Sequence, residues 1–521
     1  MSADPQPINP ATAADTPKRH TFVLLALFLG LAMWFLWLHA RHYDGDAIKN
    51  AVWNRSGPGI ASVNHPYPGV WFWVWWKVGE SFVATDFDSR MAWIEALNAL
   101  LGAGAAALAA SSLIAFGVRL PIAVGSALLM SLTHAWFYHS TQSTEPIMAQ
   151  FWMMLSVRFL AAIPKHGVSA VIGSAAAWAI AVGAYQSYIL GGLGLFWIIC
   201  RERKHILPWL ITAAIIGTSL YVIAAIGSGA RDVRGVIGYI THKPDGEYWG
   251  FIRPSALLQL PFGLANALTP PWPVTRDWPG LRMGWAGLSG FEKGVTALIV
   301  GLTMLVAAAV AVLRVPGPAG RVKTGLVVVF LCGMFAPFYL LPYYNKLWLL
   351  PLGAFGLAAG LTANAYRRGG LILGILFVLV VGRNFQQTYF QRNRLDNPIN
   401  RGAIALESTI GPKDLLISDG WDASNVYNVR NPGRPNFRLI YMKVSLENLN
   451  ERMAEARKNG GKVYIFGLLE KTPEQFELSD VAKRGKRAWY PLIQSFKPKG
   501  KLVWEGKDKG VIGDLYEISE N

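Results

Sequence analysis

The sequence predicts a polytopic α-helical membrane protein, with about 11 transmembrane helices, followed by a small C-terminal α/β soluble domain. Three observations predict it. The 521 residues are 52% hydrophobic and only 16% charged, with a mean hydropathy of +0.30, whereas soluble domains carry about 25% charged residues. Apolar runs recur along most of the chain, and the short loops between them alternate in positive charge. After Arg383 the composition turns abruptly polar.

Residues 1–20 read as a small, polar, Pro-rich cytoplasmic tail without fixed structure. Lys18 and Arg19 precede the first apolar stretch, Thr21 to Leu38, which is long enough to span. It leaves through Trp37-Leu38-His39-Ala40-Arg41 rather than a small-x-small cleavage site, so it is read as a retained helix. Ten further spans follow: Met91–Phe116, Pro121–Trp136, Ile147–Ile163, Val168–Ala184, Tyr188–Cys200, Ile206–Ile226, Val295–Leu313, Thr324–Leu341, Leu347–Ala363 and Leu371–Val381. Several fall short of about 20 residues, so some must tilt or kink. Trp is abundant (21 residues), often near the ends of these runs, where an amphipathic ring suits the headgroup layer.

Charge orients the spans. Arg119, Lys165, Arg201, Arg203, Lys204, Arg314, Arg321, Lys323, Arg367 and Arg368 fall in one set of loops. The loops around Ser140 and Ser187 hold no Lys or Arg, and Tyr343-Tyr344-Asn345-Lys346 holds one. Positive loops stay cytoplasmic, which places the C-terminus outside a cell inner (plasma) membrane. A transmembrane domain is expected over 21–383, with outer loops at 41–90 and 227–291. An extracytoplasmic α/β domain is expected over 384–521. In it Asp414–Ser418 and Lys462–Gly467 are short apolar runs, and between them Leu446 to Lys458 has helical spacing ended by Asn459-Gly460-Gly461, which together read as α/β.

The net charge of +17 is what cytoplasmic Lys and Arg retention leaves, and no nucleic-acid-binding motif accompanies it. Membrane lipids, not nucleic acid, are the expected surroundings. Neither of the two cysteines, Cys200 and Cys332, has the spacing of a disulfide or metal site.

Residues capable of chemistry gather in the expected outer loops. Tyr43-Asp44-Gly45-Asp46 opens the first, followed by a helical pattern. Asp46 can cap that helix, or the two carboxylates can serve as a general base or hold Mg²⁺ or Mn²⁺. Asn64-His65-Pro66-Tyr67-Pro68 forms an extended turn before Val70–Val78, an aromatic run too short to span that suits the interface. His65 is either a turn residue or a polar group beside the aspartates. Glu145, before Pro146, is either an acid favoured by the helix dipole or, at membrane depth, a functional group. Glu95, Asn98, Tyr185 and Gln186 invite the same argument. Lys346, beside Asn345, either snorkels to headgroups or pairs with a lipid-linked phosphate; Arg253 and Arg276 can share that role.

This constellation resembles the GT-C glycosyltransferases, and within them the bacterial branch of protein O-mannosyltransferase-like and lipid A aminoarabinose transferase-like enzymes. Asp44-Gly45-Asp46 stands for their acidic pair, Asn64-His65-Pro66-Tyr67-Pro68 for their His-Pro-Pro-type turn, and Tyr344-Asn345-Lys346-Leu347-Trp348-Leu349-Leu350-Pro351 for their late basic-aromatic segment. The departures are Gly45 between the acids, Tyr67 displacing the second Pro, and Asn345-Lys346 in place of an Arg/Tyr-rich pattern. The resemblance implies an inverting transfer from a polyprenyl-phosphate sugar donor to a glycan, lipid or protein acceptor on the outer face. Asp44 or Asp46 would be the base and Lys346, with an Arg such as Arg253, the phosphate's counter-charge. His65, Glu145, Tyr185, Gln186 and Asn345 would bind substrate. No cofactor is expected unless the Asp-Gly-Asp segment takes a divalent metal. The rival class is a transporter or flippase of a lipid-linked saccharide, which should show inverted repeats; none is visible in the sequence.

Overall fold

A computed structural model of the chain describes residues 16–41, 47, 67–84, 86–241, 254–269, 285–339, 344–390, 397–420, 422–439, 445–477, 479–483, 487–506 and 513–519. Among the described residues, seven helices are long and apolar enough to cross a membrane, or eight if the bent pair Leu120–Ser131 and His134–Ser140 is one span. Val168–Ala184, Gln186–Ile199 and Gly369–Asn384 are shorter apolar helices that coincide with three more expected spans. Over their described residues all eleven apolar runs therefore coincide with helices, and the protein is a multi-pass membrane protein.

Three segments differ from the expectation. Pro121–Trp136 is not one straight span, because its two helices meet at 73°. Thr133 is extended at the break. There the carbonyl of Leu132 accepts from Asn384 Nδ2 at 3.0 Å and Tyr389 Oη at 2.6 Å. Side chains thus satisfy backbone that the broken helix no longer pairs, the condition for non-helical chain at membrane depth. Second, Tyr188–Cys200 begins as a 3₁₀ turn over Gln186–Gly191 before the helix Gly192–Ile199. Third, the described residues of the loop expected over 227–291 include the helices Val233–Thr241 and Pro254–Leu268. The first exposes Val233, Ile237 and Ile240 on one face, as a helix lying in the interface would. The second buries Leu264, Ala265, Ala267 and Leu268 against the helix His134–Ser140 and the turn Asn345–Trp348.

Small residues let the helices approach closely. Phe87–Ala115, rich in Ala and Gly from Gly102 to Ala110, packs against the first span, Leu120–Ser131 and Pro146–His166. Leu349–Ala365 is the most enclosed of the long apolar helices, 94% buried over its span window. Its Gly353, Gly356 and Gly360 receive Gln150, Met130 and Ser126, with no room for a Cβ. The helix Pro68–Gly79 turns Trp71, Val74 and Val78 outward and buries Phe72 and Trp76. Trp75 and Trp93 stack at 4.6 Å and donate indole hydrogen bonds to each other's carbonyls at 2.7 and 2.9 Å.

Contacts sort the loops into two ends. At the basic end, Arg119 donates to Asn364 Oδ1 from its backbone and side chain at 3.1 and 3.2 Å. Tyr366 bonds the carbonyl of Arg314, and Arg321 that of Trp197. The opposite end joins the exit of the first span, the bent pair, the turn at Asn345 and the C-terminal domain. This is the grouping that charge alternation anticipates.

The C-terminal domain carries a five-stranded sheet in the order β2-β1-β3-β5-β4. Its strands are β1 (Leu415–Ser418), β2 (Asn436–Arg438), β3 (Val463–Phe466), β4 (Gly500–Trp504) and β5 (Leu515–Ile518). The strands β2, β1 and β3 are parallel, while β5 pairs antiparallel with β3 and β4. β1 and β3 are buried on both faces, which explains their unbroken apolar runs. Leu415, Ile417, Val463 and Ile465 face the helix Leu446–Lys458. Leu416, Tyr464 and Phe466 face Leu406 of Pro398–Thr409 and Tyr427 of Asp422–Arg430.

Candidate functional site

The segment 133–150, expected as the end of one span, an outer loop and the start of the next, is buried at every residue. Covering chain comes from several elements. Ala40 N–H donates to the carbonyl of Thr141 at 2.8 Å, and Ser143 Oγ donates to the carbonyl of Ala47 at 3.1 Å. Asn98, in the middle of its helix, donates through Nδ2 to the carbonyls of His139 at 3.3 Å, Thr144 at 2.7 Å and Gln142. A single buried amide thereby ties down three carbonyls of the loop, of which that of Gln142 also accepts from Thr144 N–H at 2.9 Å.

Within the loop runs a chain of polar side chains. His139 Nδ1 lies 2.7 Å from Thr144 Oγ1 and its Nε2 3.1 Å from Asn345 Oδ1. Asn345 Nδ2 is 3.5 Å from His134 Nε2, a weak contact. The donors run in one sense when His139 Nε2 carries the ring hydrogen: Thr144 hydroxyl to His139, His139 to Asn345, Asn345 to His134. Lys346 follows, half-buried, with its ammonium 5.2 Å from the centroid of the Tyr344 ring, a cation–π contact.

Glu145 is buried at the start of Pro146–His166 and makes no side-chain cap. One turn on, Gln150 Oε1 accepts from Tyr188 Oη at 2.6 Å. Tyr185, also buried, meets Tyr188 edge to face at 6.3 Å. Gln186 is exposed and stands apart. Of the residues singled out in the sequence, Asn98, Glu145, Tyr185, Asn345 and Lys346 thus border one buried polar region. Asp44, Asp46, His65 and Arg253 lie outside the described residues, as does Arg276. Among the described residues no group of three or more His, Cys, Asp and Glu has metal-binding proximity.

The sequence assigns no role to several other polar residues of the region. His134, His139 and Gln150 sit within or beside expected spans, and a buried polar group at membrane depth is the signal that marks them. Arg383, at the end of the last span, pairs through Nη1 with Glu292 Oε1 at 3.3 Å. Its Nε and Nη2 are buried without a partner among the described residues. Its neighbour Asn384 bonds the carbonyls of Leu132 and Leu268. The C-terminal domain docks beside them: Asn397 and Asn400 donate to the carbonyl of Arg41 at 2.8 and 2.9 Å. Arg430 bridges Asp88 at 3.1 Å and Glu407 at 3.7 Å.

No protein-family model and no curated protein sequence matches the chain. Solved structures do. The apo oligosaccharyltransferase of Archaeoglobus fulgidus is similar at a TM-score of 0.53 and 12% identity, over 97% of this chain and 75% of that one. The Archaeoglobus fulgidus oligosaccharyltransferase AglB, in complex with an inhibitory peptide and a dolichol-phosphate, is similar at 0.52 and 11%, over 96% and 74%. ArnT from Cupriavidus metallidurans, bound to undecaprenyl phosphate, aligns over 97% of this chain and 99% of its own at 14% identity. Its TM-score is 0.44. The archaeal likeness is one of fold: the chain has a GT-C-like fold, as its resemblance implies.

Proposed function

We propose that the chain is an integral-membrane glycosyltransferase that moves a sugar from a polyprenyl-phosphate-linked donor to a hydroxyl of a lipid, polysaccharide or protein. One observation carries this reading. The described residues flanking the acidic stretch are both anchored at the buried polar loop: Ala40 through Thr141 and Ala47 through Ser143. Asp46 is the chain neighbour of Ala47, and Asp44 lies three residues beyond Arg41. The fold shared with an oligosaccharyltransferase bound to dolichol-phosphate supports the donor class. Charge alternation assigns this face to the outside of the inner membrane, with the C-terminal domain extracytoplasmic.

The acceptor oxygen attacks the anomeric carbon opposite the phosphate, the carbon–oxygen bond to the phosphate breaks, and configuration inverts. The acceptor's proton passes to Asp44 or Asp46, acting as general base. Lys346, with Arg253 or the buried Arg383, stabilises the departing lipid phosphate. His65, Glu145, Tyr185 and Asn345 orient the sugars, and His139 positions Asn345; Gln186, exposed and apart from the polar region, takes no part. The chemistry requires no cofactor in this form; a chelator that abolishes transfer would assign Mg²⁺ or Mn²⁺ to Asp44 and Asp46 instead.

The test is transfer in proteoliposomes from radiolabelled polyprenyl-phosphate sugars to lipid, glycan and protein fractions. Asp44→Asn or Asp46→Asn should lower the rate about 100-fold or more, and Lys346→Met by a similar factor. Near wild-type transfer by both aspartate variants refutes the assignment of the base. Label that crosses the bilayer with no new glycosidic bond would establish a transporter instead.

A further inference from the structure

At the basic end, remote from the polar loop, a cavity of about 620 Å³ lies between the end of Gly290–Val312, the start of Gly317–Gly333 and Trp197. Arg314, Arg321 and Lys323 line it, and none of the described residues lining it is acidic. Lys323 is already engaged: its ammonium donates to the carbonyl of Leu313 at 2.8 Å, satisfying the end of the preceding helix. Arg321 is only partly engaged. One Nη2 bond reaches the carbonyl of Trp197 at 3.3 Å, while its Nε is buried without a partner among the described residues. The helix Gly317–Gly333 opens with no side-chain cap and no acidic residue in its first turn, so its positive end is uncompensated. The same cavity has an apolar wall: Val312 is 76% exposed, Trp197 49% and Leu313 38%, all at the ends of membrane helices.

We propose that this cavity binds the phosphate headgroup of an anionic membrane phospholipid, with Arg314 and Arg321 as its cations and an acyl chain running along Val312, Leu313 and Trp197. A guanidinium fork with a free N–H suits a phosphate oxygen. The exposed apolar wall favours an amphiphile over a soluble phosphate, which has nothing to place there. This site is independent of sugar transfer at the other end.

The test is native mass spectrometry of the purified full chain with phosphatidylglycerol and with phosphatidylcholine, beside thermal shifts with inorganic phosphate. Phosphatidylglycerol should be retained about tenfold better than phosphatidylcholine. Arg321→Gln and Arg314→Gln should each remove most of that preference. Arg367→Gln, at the same end but off the cavity, should leave it intact. Arg314 has an exposed side chain, so its variant stays informative should Arg321→Gln weaken the fold. Equal retention of the two lipids overturns the proposal, as does an Arg314 variant indistinguishable from Arg367→Gln. A shift with inorganic phosphate that Arg314→Gln abolishes, without lipid preference, overturns the lipid assignment in favour of a soluble phosphate compound.

Discussion

The side-chain amide of Asn98 has two hydrogens and faces three carbonyls, those of His139, Gln142 and Thr144. One of them must share, which accounts for the longer 3.3 Å contact to His139. Asn98 is fully buried, so these carbonyls have little recourse to water. Replacing Asn98 by Leu keeps the branched skeleton, with bulkier methyl groups, and removes the donors; the Gln142 carbonyl keeps its bond from Thr144 N–H, and each buried acceptor left without a partner costs about 1–3 kcal/mol. We expect Asn98→Leu to lower stability by roughly 2 kcal/mol or more, seen as a reduced unfolding temperature in detergent. Transfer should fall as well, because the loop presenting His139 would lose its anchor. Unchanged melting would show that the loop is held by other means. In the sequence Asn98 is one polar letter in an apolar helix; its partners, 41 to 46 residues away, become its partners only when the helices pack.

Among the helices, glycine decides how closely axes approach, but its neighbours decide how much that matters. A Cβ at Gly194 would overlap the backbone carbonyl of Gly325, on the facing helix. A Cβ at Gly356 would overlap the Met130 side chain instead. Methionine is flexible and can move aside, whereas a helix carbonyl moves only with its helix. Gly194→Ala should therefore lower the unfolding temperature distinctly more than Gly356→Ala, by an amount typical of overpacking, about 1–3 kcal/mol. Equal effects in thermal melts would mean that the two helices part easily. Close packing of this kind is the membrane alternative to hydrophobic burial, since lipid tails are as apolar as the helix surface.

For the whole molecule, the question is what fixes the soluble domain to the membrane bundle. Two contacts compete for importance. Arg430 meets an Asp88 side chain that is 57% exposed, and pairs so open to solvent are worth about 0–1 kcal/mol. Asn397 and Asn400 instead share one backbone carbonyl, that of Arg41, from largely buried positions. We expect Asn397→Ala combined with Asn400→Ala to speed proteolysis between the domain and the bundle, while Arg430→Ala changes it little at physiological salt. The reverse order would place the ion pair in control. Loss of the Asn397–Asn400 contact should also lower transfer, since Arg41 borders the acidic stretch.

The membrane class, the apolar spans and their sorting into two ends are legible in the sequence because each depends on local apolar length and on which loops carry Lys and Arg. The helix Leu446–Lys458 and the strands β1 and β3 are legible for the same reason: their patterns are continuous and strong. The short strands β2, β4 and β5 are not, since their residues form strands through pairing with distant chain. The break at Thr133 is equally hidden, because it depends on Asn384 and Tyr389 reaching across to the carbonyl of Leu132. At the candidate site the sequence singles out Glu145, Asn345 and Lys346 by residue type and depth, yet joins none of them. Tertiary structure alone decides that Asn345 meets His139, that Gln186 turns away and that the loop from Tyr138 to Glu145 is buried. Hydrophobic length and charge act along the chain, whereas hydrogen bonds at membrane depth form between segments that only folding brings together.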